Sequence, residues 1–116
     1  MGLAMSFNRT PLGQRVPSCV SSAIRASARE QSCTLRSPAC NGRLDTTVLC
    51  HLRMFGSAGI AHKPHDFHAV YACSDCHRLL DSRDWMTTGA IGFEDVLRSL
   101  METQRRLYAA GLLATL

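Results

Sequence analysis

Residues 46–53, TTVLCHLR, have β-branched residues at the start and apolar residues in the middle, a pattern that predicts a β-strand. Side chains of a strand alternate between two faces, so Cys50 lies with the apolar residues while His51 and Arg53 share the other face. We therefore expect Cys50 to be a small buried side chain and not a ligand. His51 and Arg53 remain available for chemistry.

A second apolar run predicts a short strand over residues 68–73, and residues 74–81 follow as a short helix. The loop between the strands, residues 54–67, is rich in titratable side chains, and binding groups tend to lie on loops held by a rigid scaffold. These side chains are His62, Lys63, His65 and Asp66. Strand, loop, strand and helix together predict a ββα unit over residues 46–81. Residues 83–92 are polar with two glycines, which predicts a linker or a turn.

The longest periodic segment is residues 93–110, where apolar residues recur at spacings of three and four. They are Phe93, Val96, Leu97, Leu100, Met101, Leu107 and Tyr108. Glu94 with Arg98 and Glu102 with Arg106 are charge pairs in the orientation that favours a helix. We expect an amphipathic helix that covers the core or packs against a second copy of the chain, which would give a homodimer.

Residues 1–22 show no sustained period and contain two prolines, which predicts a disordered or loosely attached arm before one domain over residues 23–116. The net charge is +4, but residues 1–29 hold four arginines and no acidic residue, while nine basic residues balance nine acidic ones in the rest. A phosphate-binding surface on the folded part must therefore come from a local cluster of charge.

A chain of 116 residues supports one small domain, and a bound metal is a common supplement to so small a core. Six cysteines without the apolar region of a signal peptide favour a reducing cytoplasm and metal binding over disulfides. The sequence has no apolar run close to the roughly 18–20 residues of a membrane span. We expect a cytoplasmic protein without a membrane partner.

Four cysteines have the spacing of a structural zinc site. Cys73 and Cys76 form a C-x2-C turn before a predicted helix, and Cys33 and Cys40 lie upstream with six residues between them. Four thiolates suit the preference of Zn²⁺ for closed, sulfur-rich sites. The alternatives are a redox dithiol, which lacks the βαβ surroundings of thioredoxin-like proteins, or buried thiols without a metal.

Other polar residues near this turn have the chemistry of phosphodiester hydrolysis, which needs a base, a cation and a positive group to hold the phosphate. His51 is the candidate base, and His77, directly after Cys76, would help to hold a metal. Arg53 or Lys63 would hold the phosphate. The same residues also fit a zinc module without catalytic activity.

Five short segments, in this order and spacing, resemble the YbcO-like family of lambdoid phages and prophages, whose members are described as nucleases. They are REQSC (29–33), CNG (40–42), TVLCHLR (47–53), KPHD (63–66) and ACSDCH (72–77), followed by Asp81. The resemblance covers about residues 24–112. It implies an α+β domain of the HNH type (ββα-metal, or His-Me finger) on a treble-clef zinc scaffold, with the amphipathic helix at the C-terminal end.

The resemblance also implies roles for the matching residues. His51 would be the general base, and His77 would bind a catalytic Mg²⁺ or another divalent ion, with Asp66 as a second ligand. HNH enzymes usually have Asp, Glu or His directly before the base, where this chain has Cys50, and their middle Asn is replaced here by Asp66 or His68. The zinc ligands would be Cys33, Cys40, Cys73 and Cys76.

The first hypothesis is a metal-dependent DNA endonuclease of phage or prophage origin, with DNA and phage recombination proteins as partners. His51 would activate water, the ion at His77 would stabilise the leaving 3′ oxygen, and Arg53 and Lys63 would hold the phosphate. The second hypothesis is a non-catalytic zinc module that binds nucleic acid or a recombination protein. The third is a small structural protein that dimerises through its last helix.

Overall fold

A computed structural model describes residues 17–53 and 64–115. The elements are α1 (Ser22–Ala26), β1 (Val48–His51), β2 (Ala69–Ala72), α2 (Ser74–Ser82), α3 (Trp85–Thr88) and α4 (Phe93–Ala109). This order confirms the α+β class and the strand–strand–helix order. β1 begins two residues later than predicted because residues 44–46 form a 3₁₀ turn, and it ends at His51, two residues earlier than predicted. The predicted linker contains α3, because Trp85 packs into the core and donates its indole N–H to the Leu80 carbonyl at 3.1 Å.

The two strands form an antiparallel hairpin that separates two apolar clusters. The first cluster includes Cys50, Val70, Ala72, Cys76, Leu80 and Trp85, and so joins the hairpin to α2 and α3. The second joins Tyr71 to Ile24 of α1 and Leu107 of α4. With helices on both faces, every residue of β2 is buried. The end of β1, where His51 lies, is therefore held by packing on both sides.

The buried face of α4 differs from the predicted apolar stripe, because it includes Ser99 and Thr103 beside Val96 and Leu107. The hydroxyls of Ser99 and Thr103 lie 2.6 and 3.0 Å from Thr34 Oγ1. Buried hydroxyl groups are tolerated when they are hydrogen-bonded, which explains two polar residues on this face. Leu97, Met101 and Tyr108, which we had placed in the stripe, are exposed on the outer side.

α4 also holds the irregular segment that precedes the hairpin. Arg98 donates to the carbonyls of Thr34 and Leu35 at 2.9 and 3.0 Å, and Arg106 donates to the Ser32 carbonyl at 3.0 Å. These bonds fix the segment that contains Cys33. Among the described residues, no helix is both long enough and apolar enough to cross a membrane.

Candidate metal centres and cleft

The four cysteines predicted as zinc ligands lie together. The sulfur atoms of Cys33, Cys40, Cys73 and Cys76 are all within 4.8 Å of one another. Cys73 caps α2 and Cys76 lies in its first turn, with the Cys76 amide donating to the Cys73 sulfur at 3.4 Å. Four clustered thiols are a suitable donor set for a closed tetrahedral metal site.

Hydrogen bonding distinguishes the two thiols of α2. Burial opposes ionisation of Cys73, but hydrogen bonds from the Asn41 and Cys76 amides outweigh it and lower the pKa of this thiol. Burial raises the pKa of Cys76, although the Ser37 hydroxyl lies 3.1 Å from its sulfur. Because metals bind thiolates, occupation of this cluster would release protons.

His51 is held by a buried carboxylate. Its Nε2 lies 2.8 Å from Asp66 Oδ1, and the Asp66 side chain is completely buried while that of His51 is 18% exposed. The Ser21 amide donates to Asp66 Oδ2 at 2.6 Å, and Arg25 Nε lies 3.1 Å from the same oxygen. An ionised carboxylate can only accept a hydrogen bond, so Nε2 donates to Asp66 and the lone pair of Nδ1 is left on the other side of the ring.

The charge on Asp66 is stabilised by these contacts. Burial opposes ionisation, but the hydrogen bonds from Ser21, His51 and Arg25 outweigh it and hold the pKa of the carboxyl below its ordinary value. The domain boundary after residue 22 stays a prediction, but Ser21 contacts Asp66 and the Cys19 amide donates to His65 Nδ1 at 2.9 Å. The segment before α1 thus contacts the described end of the loop between the strands.

A second cluster of metal-binding side chains consists of Cys50, His77 and Asp81, again with their ligand atoms within 4.8 Å of one another. His77 and Asp81 lie one turn apart on α2, with Nε2 and Oδ2 separated by 3.0 Å. Cys50 is completely buried, as predicted, and burial raises the pKa of its thiol to about 12. The structure brings His77 together with Cys50 and Asp81. It places Asp66, predicted as the second ligand of that ion, beside His51 instead.

An open cleft lies between the end of β1 and the end of α2, and both His51 and Asp81 line it. Arg53, the predicted phosphate ligand, also lines the cleft and is exposed. Arg83, the left-handed residue that ends α2, adds a second positive charge there. Lys63, the other predicted phosphate ligand, lies outside the described residues.

Sequence reasoning missed several residues that the structure places near these groups. The spacing of four between His77 and Asp81 on a predicted helix could have indicated that their side chains meet. Arg25 and Ser21 had no such signal, because they contact Asp66 across 41 and 45 residues of sequence. Arg83 was assigned to a linker.

Comparison with known proteins places this chain in a family. Residues 22–112 match the family described as "Putative nuclease YbcO". A curated protein of that name from Escherichia coli (strain K12) is 38% identical over 82 residues, which is 70% of this chain and 85% of the relative. A protein of Enterobacteria phage 82 matches with the same values.

A solved structure of a bacteriophage protein from Escherichia coli str. K-12 substr. MG1655, described as putative, has a TM-score of 0.57 and 32% sequence identity. The match covers 77% of this chain and all of that chain. These findings confirm the resemblance inferred from the five sequence segments. The chain belongs to the YbcO family of putative nucleases.

Proposed function

We propose that this protein is a metal-dependent DNA endonuclease in which His51 is the general base. The observation that carries the proposal is a single cleft lined by His51, which a buried carboxylate orients, and by Asp81 of the Cys50–His77–Asp81 cluster. A base next to a cation site is what hydrolysis of a phosphodiester requires. The name of the family supports nucleic acid as the substrate class.

In this proposal the four-cysteine cluster binds a structural Zn²⁺, and that ion takes no part in the reaction. Four thiol donors leave no open coordination position for substrate in a tetrahedral site. Two ligands precede the hairpin and two begin the helix after it, the order expected of a treble-clef scaffold with an HNH-type ββα unit. Zinc at Cys73 and Cys76 would fix the start of α2 and with it the position of His77.

The second cluster would hold the ion that assists the reaction. Its donors are one sulfur, one nitrogen and one oxygen, whereas Mg²⁺ prefers oxygen ligands. This mixed set better suits a transition-metal ion such as Co²⁺ or Ni²⁺. When bound, such a cation would offset negative charge on the phosphate and the leaving 3′ oxygen.

The residues of the chain itself would handle the proton and the phosphate. His51 takes a proton from the attacking water at Nδ1, and ionised Asp66 stabilises the imidazolium and keeps the ring in position. Arg53 and Arg83 bind phosphate oxygens from the side of the cleft. Lys63 keeps its proposed role as a further phosphate ligand.

Plasmid nicking by the zinc-loaded protein tests the proposal, with Mg²⁺, Mn²⁺, Co²⁺ or Ni²⁺ added in separate reactions. We expect cleavage that depends on the added ion and is lost in His51→Ala and His77→Ala, while one zinc per chain is retained. Arg43→Ala is the control, since this exposed arginine pairs with Asp45 away from the cleft residues and should leave cleavage unchanged. Full cleavage by His51→Ala would refute the assignment of the base.

A second candidate function is a zinc module that binds nucleic acid or a recombination protein without cleaving it. The buried Cys50 thiol favours this candidate, because a thiol with a raised pKa is a poor ligand for a hard cation. DNA binding by the wild-type protein without cleavage in the presence of any of the four ions would support it.

A further inference from the structure

The outer face of α4 has a row of large apolar side chains that the fold leaves exposed. Leu97, Met101 and Tyr108 are 55%, 57% and 59% exposed. Their spacings of four and seven residues put them on one side of the helix. Exposed apolar residues are common when scattered, but Leu97 and Met101 are neighbours on the helix surface and Tyr108 lies two turns further along the same side. Apolar residues aligned in this way are typical of an interaction site.

Two charged residues flank this row. Glu94 lies three residues before Leu97, and Arg105 lies four residues after Met101, so both are neighbours of the row on the helix surface. Within residues 17–53 and 64–115 neither forms an ion pair, and the predicted pair of Glu94 with Arg98 is wrong because Arg98 contacts Glu102 instead. Glu102, on the other side of the helix, pairs with three arginines of this chain. The row therefore has, toward its start, an acidic residue and, toward its end, a basic residue that have no ion-pair partner in the described part of the chain.

We propose that this face binds the same face of a second copy of the chain, with the two α4 helices antiparallel across a two-fold axis. Placing Leu97 opposite Met101 of the second copy puts the axis at position 99, and placing Glu94 opposite Arg105 puts it at position 99.5. These positions differ by less than the rise of one residue, about 1.5 Å. One axis thus satisfies the contact of Leu97 with Met101 and the contact of Glu94 with Arg105 together, while Tyr108 lies opposite the segment that precedes α4 in the second copy.

The charge pattern selects this arrangement over a parallel one. A parallel pair in register would place Glu94 against Glu94 and Arg105 against Arg105, and like charges in contact are unfavourable. A two-fold axis repeats each contact, so the antiparallel pair has an apolar centre with an ion pair at each end. The proposed contact uses a few side chains of one 17-residue helix, and small interfaces of this kind are typical of weak association, so we expect a dissociation constant in the micromolar range.

Charge reversal in the full-length, zinc-loaded protein tests the dimer by sedimentation equilibrium from low micromolar concentration to about 200 µM. We expect the mass of the wild type to rise with concentration toward twice the mass of the chain, and Glu94→Arg or Arg105→Glu alone to raise the dissociation constant at least ten-fold. An equimolar mixture of these two variants should form a heterodimer, because each reversed charge then meets an opposite charge. Arg29→Glu is the matched control, since Arg29 is exposed, lies outside α4 and has no ion pair among the described residues.

Three results would overturn the proposal. The first is a monomeric wild type at about 200 µM, where a micromolar dimer would be formed. The second is a dimer that neither reversal weakens, because it would use another surface. The third is a mixture of the two variants that stays monomeric although both contain zinc and have the circular dichroism of the wild type. None of these measurements depends on nuclease activity, so a result that refutes the dimer does not refute the proposed function, and the reverse also holds.

Discussion

At the scale of single residues, Asp66 links the proposed base to the segment before the hairpin. Its buried carboxylate accepts hydrogen bonds from His51, Arg25 and the Ser21 amide. An isolated buried carboxylate would be strongly destabilising, so these three donors are needed for the charge to exist there. The orientation of His51 therefore depends on α1, which lies outside the ββα unit.

Asp66→Asn tests this dependence. The Asn side chain has the shape of Asp but only one oxygen acceptor, and its NH₂ group would face one of the present donors. His51 would then no longer be held with its proton on Nε2 or in its present orientation. We expect kcat for DNA cleavage to fall about 100-fold or more, by analogy with loss of the carboxylate in a Ser-His-Asp triad. Zinc content should stay at one per chain, and kcat equal to that of the wild type would contradict the role of Asp66.

Arg25→Gln measures how much of the effect of Asp66 depends on its contact with the guanidinium group. The Arg25 side chain is half exposed, and Asp66 keeps its bonds to the Ser21 amide and to His51 when the guanidinium is removed. We expect a loss of about ten-fold or less in kcat, because an exposed charge is screened by solvent. A loss as large as that of Asp66→Asn would mean that Arg25, and not the Ser21 amide, is the dominant partner of the carboxylate.

At the scale of elements, α4 stabilises the first part of the four-cysteine site through Glu102. This residue accepts hydrogen bonds from Arg36 at 2.9 and 3.0 Å and from Arg106 at 3.0 Å. Arg36 lies three residues after Cys33 and has a left-handed backbone conformation, with φ of 51°. The side chain of Glu102 thus connects the long helix to the turn between Cys33 and Cys40.

Glu102→Gln should therefore destabilise the fold in a pH-dependent way. The hydrogen bond from Arg36, opposed by burial, holds the pKa of Glu102 below its ordinary value of 4.5. A carboxyl with a lowered pKa in the folded state stabilises it above about pH 4.5 and loses that contribution as the pH falls through the folded-state value. We expect the variant to lose about 1 kcal/mol in free energy of unfolding at pH 7, and a smaller difference below pH 4.5.

Urea unfolding of the wild type and the variant at the same pH values from pH 7 to pH 4, with excess Zn²⁺ present to keep the four-cysteine site occupied, would measure that difference. Glu94→Gln is the matched control on the same helix, because Glu94 is exposed and makes no ion pair with the described part of the chain. At low micromolar concentration, where the proposed dimer dissociates, its free energy of unfolding should stay within about 0.5 kcal/mol of the wild type. An equal effect of both changes would show that helix charge alone, and not the contact with Arg36, is responsible.

Local patterns in the sequence predicted where the helices and strands lie better than they predicted which side of each element is buried. The hairpin was recognisable because β-branched and apolar residues cluster in short runs, and α4 because its period extends over 17 residues. The buried face of α4 was not recognisable, because Ser99 and Thr103 are buried through hydrogen bonds to Thr34. Thr34 lies 65 residues before Ser99 and 69 residues before Thr103. Hydrophobicity alone cannot reveal a polar residue whose partner is so distant.

The same limit applies to the candidate site. The spacing of Cys73 and Cys76 indicated convergence on a metal, because a two-residue turn at a helix start leaves both sulfurs on one side. The contact of His51 with Asp66 had no such signal, because it closes over a 15-residue loop. Cys50 was recognised as buried, but its position beside His77 and Asp81 depends on how α2 packs against β1.

At the scale of the whole molecule, the four-cysteine cluster is part of the main core. Cys33, Cys73 and Cys76 pack in the same apolar cluster as Trp85 and Val96, so the site joins the hairpin, α2, α3 and α4. A core of this size gives a small domain only marginal stability. Zinc bound there would contribute directly to the free energy of folding, since a structural site contributes on the order of 10 kcal/mol.

Two buried cysteines allow the contribution of bound zinc to the free energy of folding to be separated from the contribution of a packed side chain. Cys76 and Cys50 are both completely buried in one core, but only Cys76 lies in the four-cysteine cluster. We expect Cys76→Ala to lose the zinc and the cooperative thermal transition, because three thiols no longer close the site. Cys50→Ala should keep one zinc per chain and lose about 1 kcal/mol in free energy of unfolding.

Native mass spectrometry and thermal circular dichroism of the two variants would measure zinc content and folding together. Treatment of the wild type with a chelator should reproduce the behaviour of Cys76→Ala. Without the metal, the segment that contains Cys33 and Cys40 is no longer bound to the start of α2. A chelated wild type that still melts cooperatively would contradict a structural role for the metal. If instead Cys50→Ala were to lose all its zinc, the tightly bound ion would lie beside His77 and not among the four cysteines.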